Sequence, residues 1–188
     1  TSVVLYRNAE AERSRAEEAR AAAAKEAAKA RASLTFVAGM IGAINPNLAQ
    51  GREITVREVL DQAAGRAETE LKDQPEIEAA VREILGEAYH VLGRPDEAER
   101  QFRRTLALLE STAGPGDVET LQTAHNLGAA LLVAGKPQEA IGSFRRLAAE
   151  FPSSRLAPAA LYYVGVVLEG LGDATRALAE GAEVTVSC

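Results

Sequence analysis

The sequence predicts an all-α protein built from repeated helical hairpins, with a long helical arm at its N-terminus. Apolar residues in the body recur three, four, seven and eight positions apart, which places them on one face of a helix. The arm is rich in alanine, glutamate and arginine and contains neither glycine nor proline. Strand-like alternation is sustained only over residues 183–187, a stretch too short to form a sheet.

The predicted arm covers residues 1–33. Its stretch Arg7–Ala32 has alanine at 12 of 26 positions, and Glu and Arg three residues apart, as at Glu10 and Arg13, favour a helix. Alanine recurs every seven residues, at Ala9, Ala16, Ala23 and Ala30. A coiled coil needs larger apolar residues than these at both seam positions. The arm is therefore predicted to be a solvated spacer, with a weak alanine coiled coil or a basic arm for anionic lipid or nucleic acid as alternatives.

Residues 34–74 are predicted to form a helical pair that precedes the repeats. The stretch Leu34–Ile44 is apolar nearly all round, which is typical of a buried helix. Asn45-Pro46 is expected to end that helix, and Gly51 marks a loop. Thr55 followed by Glu58 is the signature of a capping box at the start of the next helix.

From residue 75 to residue 188 the chain repeats itself. The pattern that begins at Leu85-Gly86 returns 42 residues later at Leu127-Gly128, and a weaker copy begins at Val164-Gly165. The copies are predicted to span about 75–112, 118–152 and 157–188. The third copy is incomplete, because Gly181 stands where the second helix of the first two copies has a phenylalanine. Glycines at the predicted turns can adopt the left-handed conformation that ends a helix, and prolines suit the first turn of the next helix. These residues are Gly93, Gly135, Gly172, Pro95 and Pro137.

The repeated pattern resembles the tetratricopeptide repeat, although the early tryptophan of that repeat is replaced by Arg82 and Ala124. Its 42-residue spacing and the stretch Glu119–Gly128 resemble the repeats of kinesin light chains. The order of segments over Arg7–Glu150 further resembles the C-terminal region of bacterial serine/threonine kinases that carry such repeats. That resemblance implies a segment of a larger signalling protein, with Ser2–Tyr6 as the last turn of a membrane helix. The kinase motifs themselves do not occur in the sequence.

The resemblance implies a helical solenoid whose concave groove binds a peptide or a partner protein. Carried over in register, the groove residues are Glu83, Glu87, His90, Gln122, His125, Asn126, Ala129, Tyr162 and Val166. Asn126 is the candidate to hydrogen-bond a peptide backbone, and a contact between repeats is the alternative role. Glu83 and Glu87 replace residues that hold a C-terminal carboxylate in chaperone-binding relatives, so a basic or apolar segment is the favoured partner.

Composition argues against several other functions. A single cysteine, Cys188, and two histidines exclude an internal disulfide and a multi-cysteine metal site, so no cofactor, metal or catalytic residue is predicted. A metal site at His90, His125 and Glu87 is the weaker alternative. The net charge of −6 argues against nucleic-acid binding, and no apolar run approaches the roughly 20 residues of a membrane span.

The charge is unevenly divided along the chain. Arg7–Arg31 holds seven basic and five acidic residues and carries +2, so the rest of the chain carries −8. The prediction is a non-enzymatic interaction scaffold. The alternative is a structural module that self-associates into a homo-oligomer through the arm or the open end of the third repeat. Its location stays open between the cytoplasm and a membrane tether through an upstream segment.

Overall fold

The computed structural model describes residues 2–42 and 55–172, and every regular element in these two ranges is an α-helix. In chain order the helices are α1 (Ser2–Gly42), α2 (Val56–Glu70), α3 (Pro75–Val91), α4 (Pro95–Thr112), α5 (Val118–Val133), α6 (Pro137–Glu150) and α7 (Ala157–Gly170). The predicted all-α fold is confirmed. The loop expected at 45–51 and the end of the third copy, including Gly181 and Cys188, lie outside the described residues.

The helices from α3 onward form a solenoid in which each helix packs against the next. The hairpin α3–α4 is the first unit, α5–α6 is the second, and α7 opens the third. One continuous core joins the units, because α4 packs on α5 and α6 packs on α7. Such an arrangement places the first helix of every hairpin along a common face.

The turns within the hairpins form as the repeated glycines predict. Gly93 and Gly135 have φ angles of 67° and 71°, in the left-handed region that a residue with a Cβ adopts with strain. The amide after each glycine donates to a carbonyl in the last turn of the helix: Arg94 to Tyr89 and Lys136 to Leu131, both at 2.9 Å. Pro95 and Pro137 then begin α4 and α6.

Close helix contacts within each hairpin depend on a glycine facing a phenylalanine. A Cβ added at Gly86 would lie 2.7 Å from the ring of Phe102, and one at Gly128 would lie 2.5 Å from the ring of Phe144. Both rings are buried in the core. The glycines are therefore required by packing rather than by backbone conformation.

The N-terminal region differs from the sequence expectation. The predicted boundary between residues 33 and 34 lies inside α1, which runs unbroken from Ser2 to Gly42. Leu34 was expected in a buried helix, but 67% of it is exposed, whereas Phe36 and Ser33 are buried. Among the described residues of the apolar stretch, Phe36 and Val37 pack into the core where α1 meets α2 and α3. The predicted capping box of α2 is present, with Thr55 and Glu58 each accepting from the other's backbone amide.

Candidate functional site

A cleft runs between α1 on one side and α3 and α5 on the other, with α4 behind it. Its volume is about 620 Å³. We call it the α1 cleft, and its lining includes residues of all four helices: Lys29, Ala30, Leu34, Ala80, Glu83, Ile84, Glu87, Leu109, Val118, Glu119, Gln122 and Thr123. The first helices of two hairpins thus contribute to one concave surface, and the N-terminal helix forms its outer wall.

Two ion pairs and one aromatic anchor hold α1 in this position. Lys25 Nζ lies 2.7 Å from Glu76 Oε1 at the start of α3, and Lys29 Nζ lies 2.6 Å from Glu119 Oε2 at the start of α5. Further along α1, Phe36 enters the core and the guanidinium of Arg66 lies 5.3 Å from the centre of its ring. Upstream of Lys25, α1 is exposed wherever its side chains are described.

Glu83 lies at the floor of the α1 cleft and is bound from the neighbouring repeat. Thr123 Oγ1 donates to one of its carboxylate oxygens at 2.9 Å, and Asn126 Nδ2 donates to the other at 2.8 Å. Burial raises the pKa of Glu83 above its usual value, although these two hydrogen bonds favour the ionised form. The cleft therefore has a carboxyl group whose position is fixed by two donors.

Asn126 occupies a junction between the two repeats. Its amide nitrogen donates to Glu83, and its amide oxygen accepts from Gln122 Nε2 at 3.1 Å. A peptide backbone would have to compete with these two partners for the Asn126 amide. The hydrogen bond that the sequence predicts between Asn126 and a peptide stays a prediction, and the contact between repeats is present.

His125 takes part in an aromatic cluster rather than in the α1 cleft. Its ring centre lies 5.5 Å from that of Phe144 and 5.4 Å from that of Tyr163, and these two rings stack at 5.2 Å. Burial lowers the pKa of His125. His125 occupies the position in α5 that Glu83 occupies in α3, 42 residues earlier. Glu83 makes a polar contact with Asn126 of the next first helix, whereas His125 makes an aromatic contact with Tyr163 of α7.

The nine predicted groove residues are thus distributed over a wider surface than one pocket. Glu83, Glu87 and Gln122 line the α1 cleft, while Tyr162 and Val166 are exposed on α7. His90 and Ala129 are half-buried toward the other ends of their helices. The structure does not bring His90, His125 and Glu87 into a metal site: within 2–42 and 55–172, no group of three or more His, Cys, Asp or Glu side chains could hold a metal ion.

Several residues of the α1 cleft were missed in the sequence. Ile84 follows the apolar spacing of the buried face of α3, yet it is 40% exposed. Val118 belongs to the first turn of α5, and Leu34 and Lys29 belong to the helix that was predicted to be a spacer. The signal that was available is the combination of two lysines four residues apart, Lys25 and Lys29, with the apolar residues that follow them.

A second cavity, of about 750 Å³, lies between α2, α3 and α4 and is lined mainly by charged side chains. Two of its arginines, Arg82 and Arg104, bind the buried carboxylate of Glu78. Glu78 accepts from Arg82 Nε at 2.7 Å and from Arg104 Nε at 3.1 Å, and Arg82 also donates to Gln101 at 2.9 Å. Because Arg82 and Arg104 are engaged in this way, we regard the α1 cleft as the better candidate site.

Comparison with known proteins identifies the repeat. Two family models described as tetratricopeptide repeat match the chain, one over residues 76–149 and the other over residues 125–186. A search of curated protein sequences found no match. In the part of the chain that the structure describes, none of the helices combines the length and the apolar character of a transmembrane span.

Solved structures with similar folds include repeat proteins of different origin. A putative kinesin light chain of Podosopora anserina superposes with a TM-score of 0.60 at 19% identity, covering 69% of this chain and 63% of that one. The TPR domain of Arabidopsis FLU superposes with a TM-score of 0.53 at 22% identity, covering 60% of this chain and 96% of that one. BtubC (BKLC) from P. vanneervenii superposes with a TM-score of 0.57 at 18% identity, covering 68% of this chain and 53% of that one.

At these identities the similarity concerns the fold. The chain spans less than two thirds of the length of the kinesin light chain and BtubC structures. The family matches fall on the same residues as the helical hairpins and their glycine turns. The chain therefore matches the tetratricopeptide repeat over residues 76–149 and 125–186, and its helices α3 to α7 have the hairpin arrangement of that repeat.

Proposed function

We propose that this chain is a non-catalytic scaffold that binds a peptide or a segment of a partner protein on its concave face. The observation that carries the proposal is the α1 cleft, a concave surface formed by the first helices of two repeats. Tetratricopeptide repeats generally mediate protein–protein interaction, and the groove between their first helices is suited to an extended or helical segment.

The charges of the cleft favour a basic or apolar partner. Glu26, Glu83, Glu87 and Glu119 line it, against the basic residues Lys29 and Arg155. Lys29 is already paired with Glu119. A partner segment with lysine or arginine would meet complementary charge, which contributes to specificity and to the rate of association.

A titration of labelled peptides tests the proposed function. A fluorescent library of short peptides that vary in charge and apolar content is added to the full chain, and anisotropy measures the dissociation constants. We expect basic and apolar peptides to bind more tightly than acidic ones, and the double variant Asn126→Ala/Glu87→Lys to lose that preference. The variant Glu68→Lys makes the same charge change at an exposed position on α2, outside the cleft, and is the control. Absence of binding, or equal binding of acidic and basic peptides, would overturn the proposal.

A structural role through self-association is the second candidate. It is favoured by α1, whose described side chains between Arg7 and Ala28 are exposed and include Ala16 and Ala23 of the seven-residue repeat. Light scattering of the full chain over a range of concentrations measures the molar mass. A concentration-dependent dimer that Ala16→Glu and Ala23→Glu abolish would support association through the arm, and a constant monomer mass would exclude it.

We also propose, from the sequence resemblance alone, that the repeats belong to a larger signalling protein fused to a bacterial serine/threonine kinase. The support is the order of segments over Arg7–Glu150. Reading the gene upstream of the codon for Thr1 tests it. A membrane span and a kinase domain in the same reading frame are the expected result, and an open reading frame without a kinase domain would contradict it.

A further inference from the structure

The α1 cleft exposes three large apolar side chains that come from three different helices. Leu34 on α1 is 67% exposed, Ile84 on α3 is 40% exposed, and Val118 on α5 is 61% exposed. Single exposed apolar residues are common on protein surfaces. Three of them lining one cleft of about 620 Å³ form a local apolar surface, which is typical of an interaction site.

Small residues lie around these three side chains. Ala30 of α1 and Ala79 and Ala80 of α3 also line the cleft. Because alanine projects only a methyl group, the space beside the apolar side chains is open to a bulky group from outside. A leucine or an aromatic side chain of a partner would bury apolar area against α1, α3 and α5 together.

Two carboxylates stand next to this apolar surface. Glu83 and Glu87 are four residues apart on α3, so their side chains lie on the same face of the helix. Glu83 accepts only from the uncharged donors Thr123 and Asn126 among the hydrogen bonds described. Glu119, the third acid at this end of the cleft, is compensated by Lys29. On α3 the negative charge available to a ligand therefore lies at Glu83 and Glu87, and Glu26 on α1 adds a further acid to the lining.

We infer that α1 is part of the binding site, and that the site takes an amphipathic segment with a large apolar residue next to a lysine or arginine. This inference rests on the proposed function and specifies its location and its ligand. The apolar residue lies between Leu34, Ile84 and Val118, and the basic residue reaches Glu87 and Glu83. The repeats supply two walls of the site and the N-terminal helix supplies the third.

Matched substitutions on α5 test the location of the site. The probe is a fluorescein-labelled peptide in which leucine alternates with arginine, titrated into the full chain. Val118→Ser removes an apolar side chain from the cleft, whereas Val133→Ser removes the same side chain, 58% exposed, from the opposite end of α5. We expect Val118→Ser to raise the dissociation constant about tenfold and Val133→Ser to change it by less than about twofold. Equal effects of the two variants would overturn the inference.

Two single variants, Leu34→Ser and Glu87→Lys, test the role of α1. Both are expected to weaken binding of the leucine–arginine peptide by about tenfold or more, and circular dichroism checks that each variant stays folded. If Glu87→Lys weakens binding and Leu34→Ser does not, the proposed groove function stands and the participation of α1 is overturned. If the peptide does not bind the unmodified chain, the inference about its ligand fails, while binding of other library members would still support the groove.

Photo-crosslinking gives a readout that does not depend on a substitution in the protein. The peptide carries a benzophenone in place of its central leucine, and mass spectrometry identifies the attached residues. Crosslinks to α1 near Leu34 and to the first turn of α5 are the expected result. Crosslinks confined to the opposite ends of α3 and α5, around His90 and Ala129, would place the ligand elsewhere and overturn the inference.

Discussion

Single residues fix the distance between the helices of each hairpin. Gly128 allows α5 to approach α6 until the ring of Phe144 fills the space where a Cβ would lie. That ring is fully buried and surrounded by the rings of His125 and Tyr163, so it has little room to move. Gly86 and Phe102 repeat the arrangement in the first hairpin.

Gly128→Ala is therefore expected to lower the free energy of unfolding by about 1–3 kcal/mol, because the new methyl group overpacks against Phe144. Gly142→Ala is the matched control, because Gly142 is an exposed position within α6. Apart from its chain neighbours and the backbone of its own helix, nothing lies within 4 Å of an added Cβ there. There alanine should be neutral or stabilise the helix by up to about 1 kcal/mol. Urea denaturation measures both variants, and equal effects would contradict the packing role of Gly128.

Glu78 is a buried charge whose partners are arginines. Its side chain is almost fully inaccessible, and burial alone would raise its pKa, but the hydrogen bonds from Arg104 and Arg82 hold that pKa below its usual value. Arg82 is buried as well, so each ion depends on the other. Removing one partner leaves an uncompensated charge in the core.

Glu78→Gln is expected to destabilise the fold by about 3–5 kcal/mol in urea denaturation. Glu70→Gln serves as the control, because Glu70 pairs with Arg66 at 2.8 Å on the exposed surface of α2 and its loss should change the midpoint little. A loss at Glu78 no greater than the loss at Glu70 would show that the buried pair adds nothing beyond a surface pair.

His125 makes stability depend on pH. Because burial lowers its pKa in the folded chain below the ordinary value of 6.5, the unfolded chain binds the proton more readily. Stability is therefore lost as the pH falls below about 6.5, and the loss stops below the folded pKa. His125→Phe lacks this contribution. As the pH falls from about 7.5 to about 5.5, the free energy of unfolding of the wild type should therefore decrease relative to that of the variant. Parallel pH profiles of the two proteins would contradict the assignment.

At the scale of whole elements, α1 is the helix that sequence reasoning described least well. Its composition predicts a solvated spacer, and the described side chains up to Ala28 are indeed exposed. Its contact with the body depends on Lys25, Lys29 and Phe36, whose partners lie on α2, α3 and α5. Helix propensity identifies the helix but carries no information about partners 30 to 90 residues away, so the wall of the cleft could not be predicted.

The contact between Lys29 and Glu119 is expected to guide the docking of α1. Lys29→Glu should loosen the segment around residues 29–37 and increase amide hydrogen exchange there, because it places two acids side by side. The charge swap Lys29→Glu/Glu119→Lys should restore protection. Exchange that is unchanged in the single variant, or not rescued in the swap, would show that the pair does not hold the helix.

On the scale of the whole molecule, the repeat made the architecture predictable. The turn glycines and the prolines recur in register, so the hairpins and their order follow from the sequence. The site was predicted in part, since Glu83, Glu87 and Gln122 line the cleft, while Ile84 was assigned to the buried face. Its exposure depends on how far α1 lies from α3, which is set by tertiary contacts rather than by local spacing.

The uneven division of charge between the arm and the body is also a property of the whole molecule. The body carries −8 and the arm +2, and the ion pairs at Lys25 and Lys29 join the two. Glu83 and Glu87 remain as acids available to a basic partner on the concave face. The molecule thus combines a closely packed repeat core with an acidic, partly apolar cleft whose outer wall is its own N-terminal helix.

Mapping of amide chemical shifts tests this account most directly. The leucine–arginine peptide is titrated into the isotopically labelled chain, and two-dimensional NMR follows each backbone amide. The account predicts that the largest shifts occur around Leu34, Glu83, Glu87 and Val118, with little change on the outer surfaces of α4 and α6. Largest shifts on α4 and α6, with an unchanged α1 cleft, would contradict the claim that the concave face binds the partner.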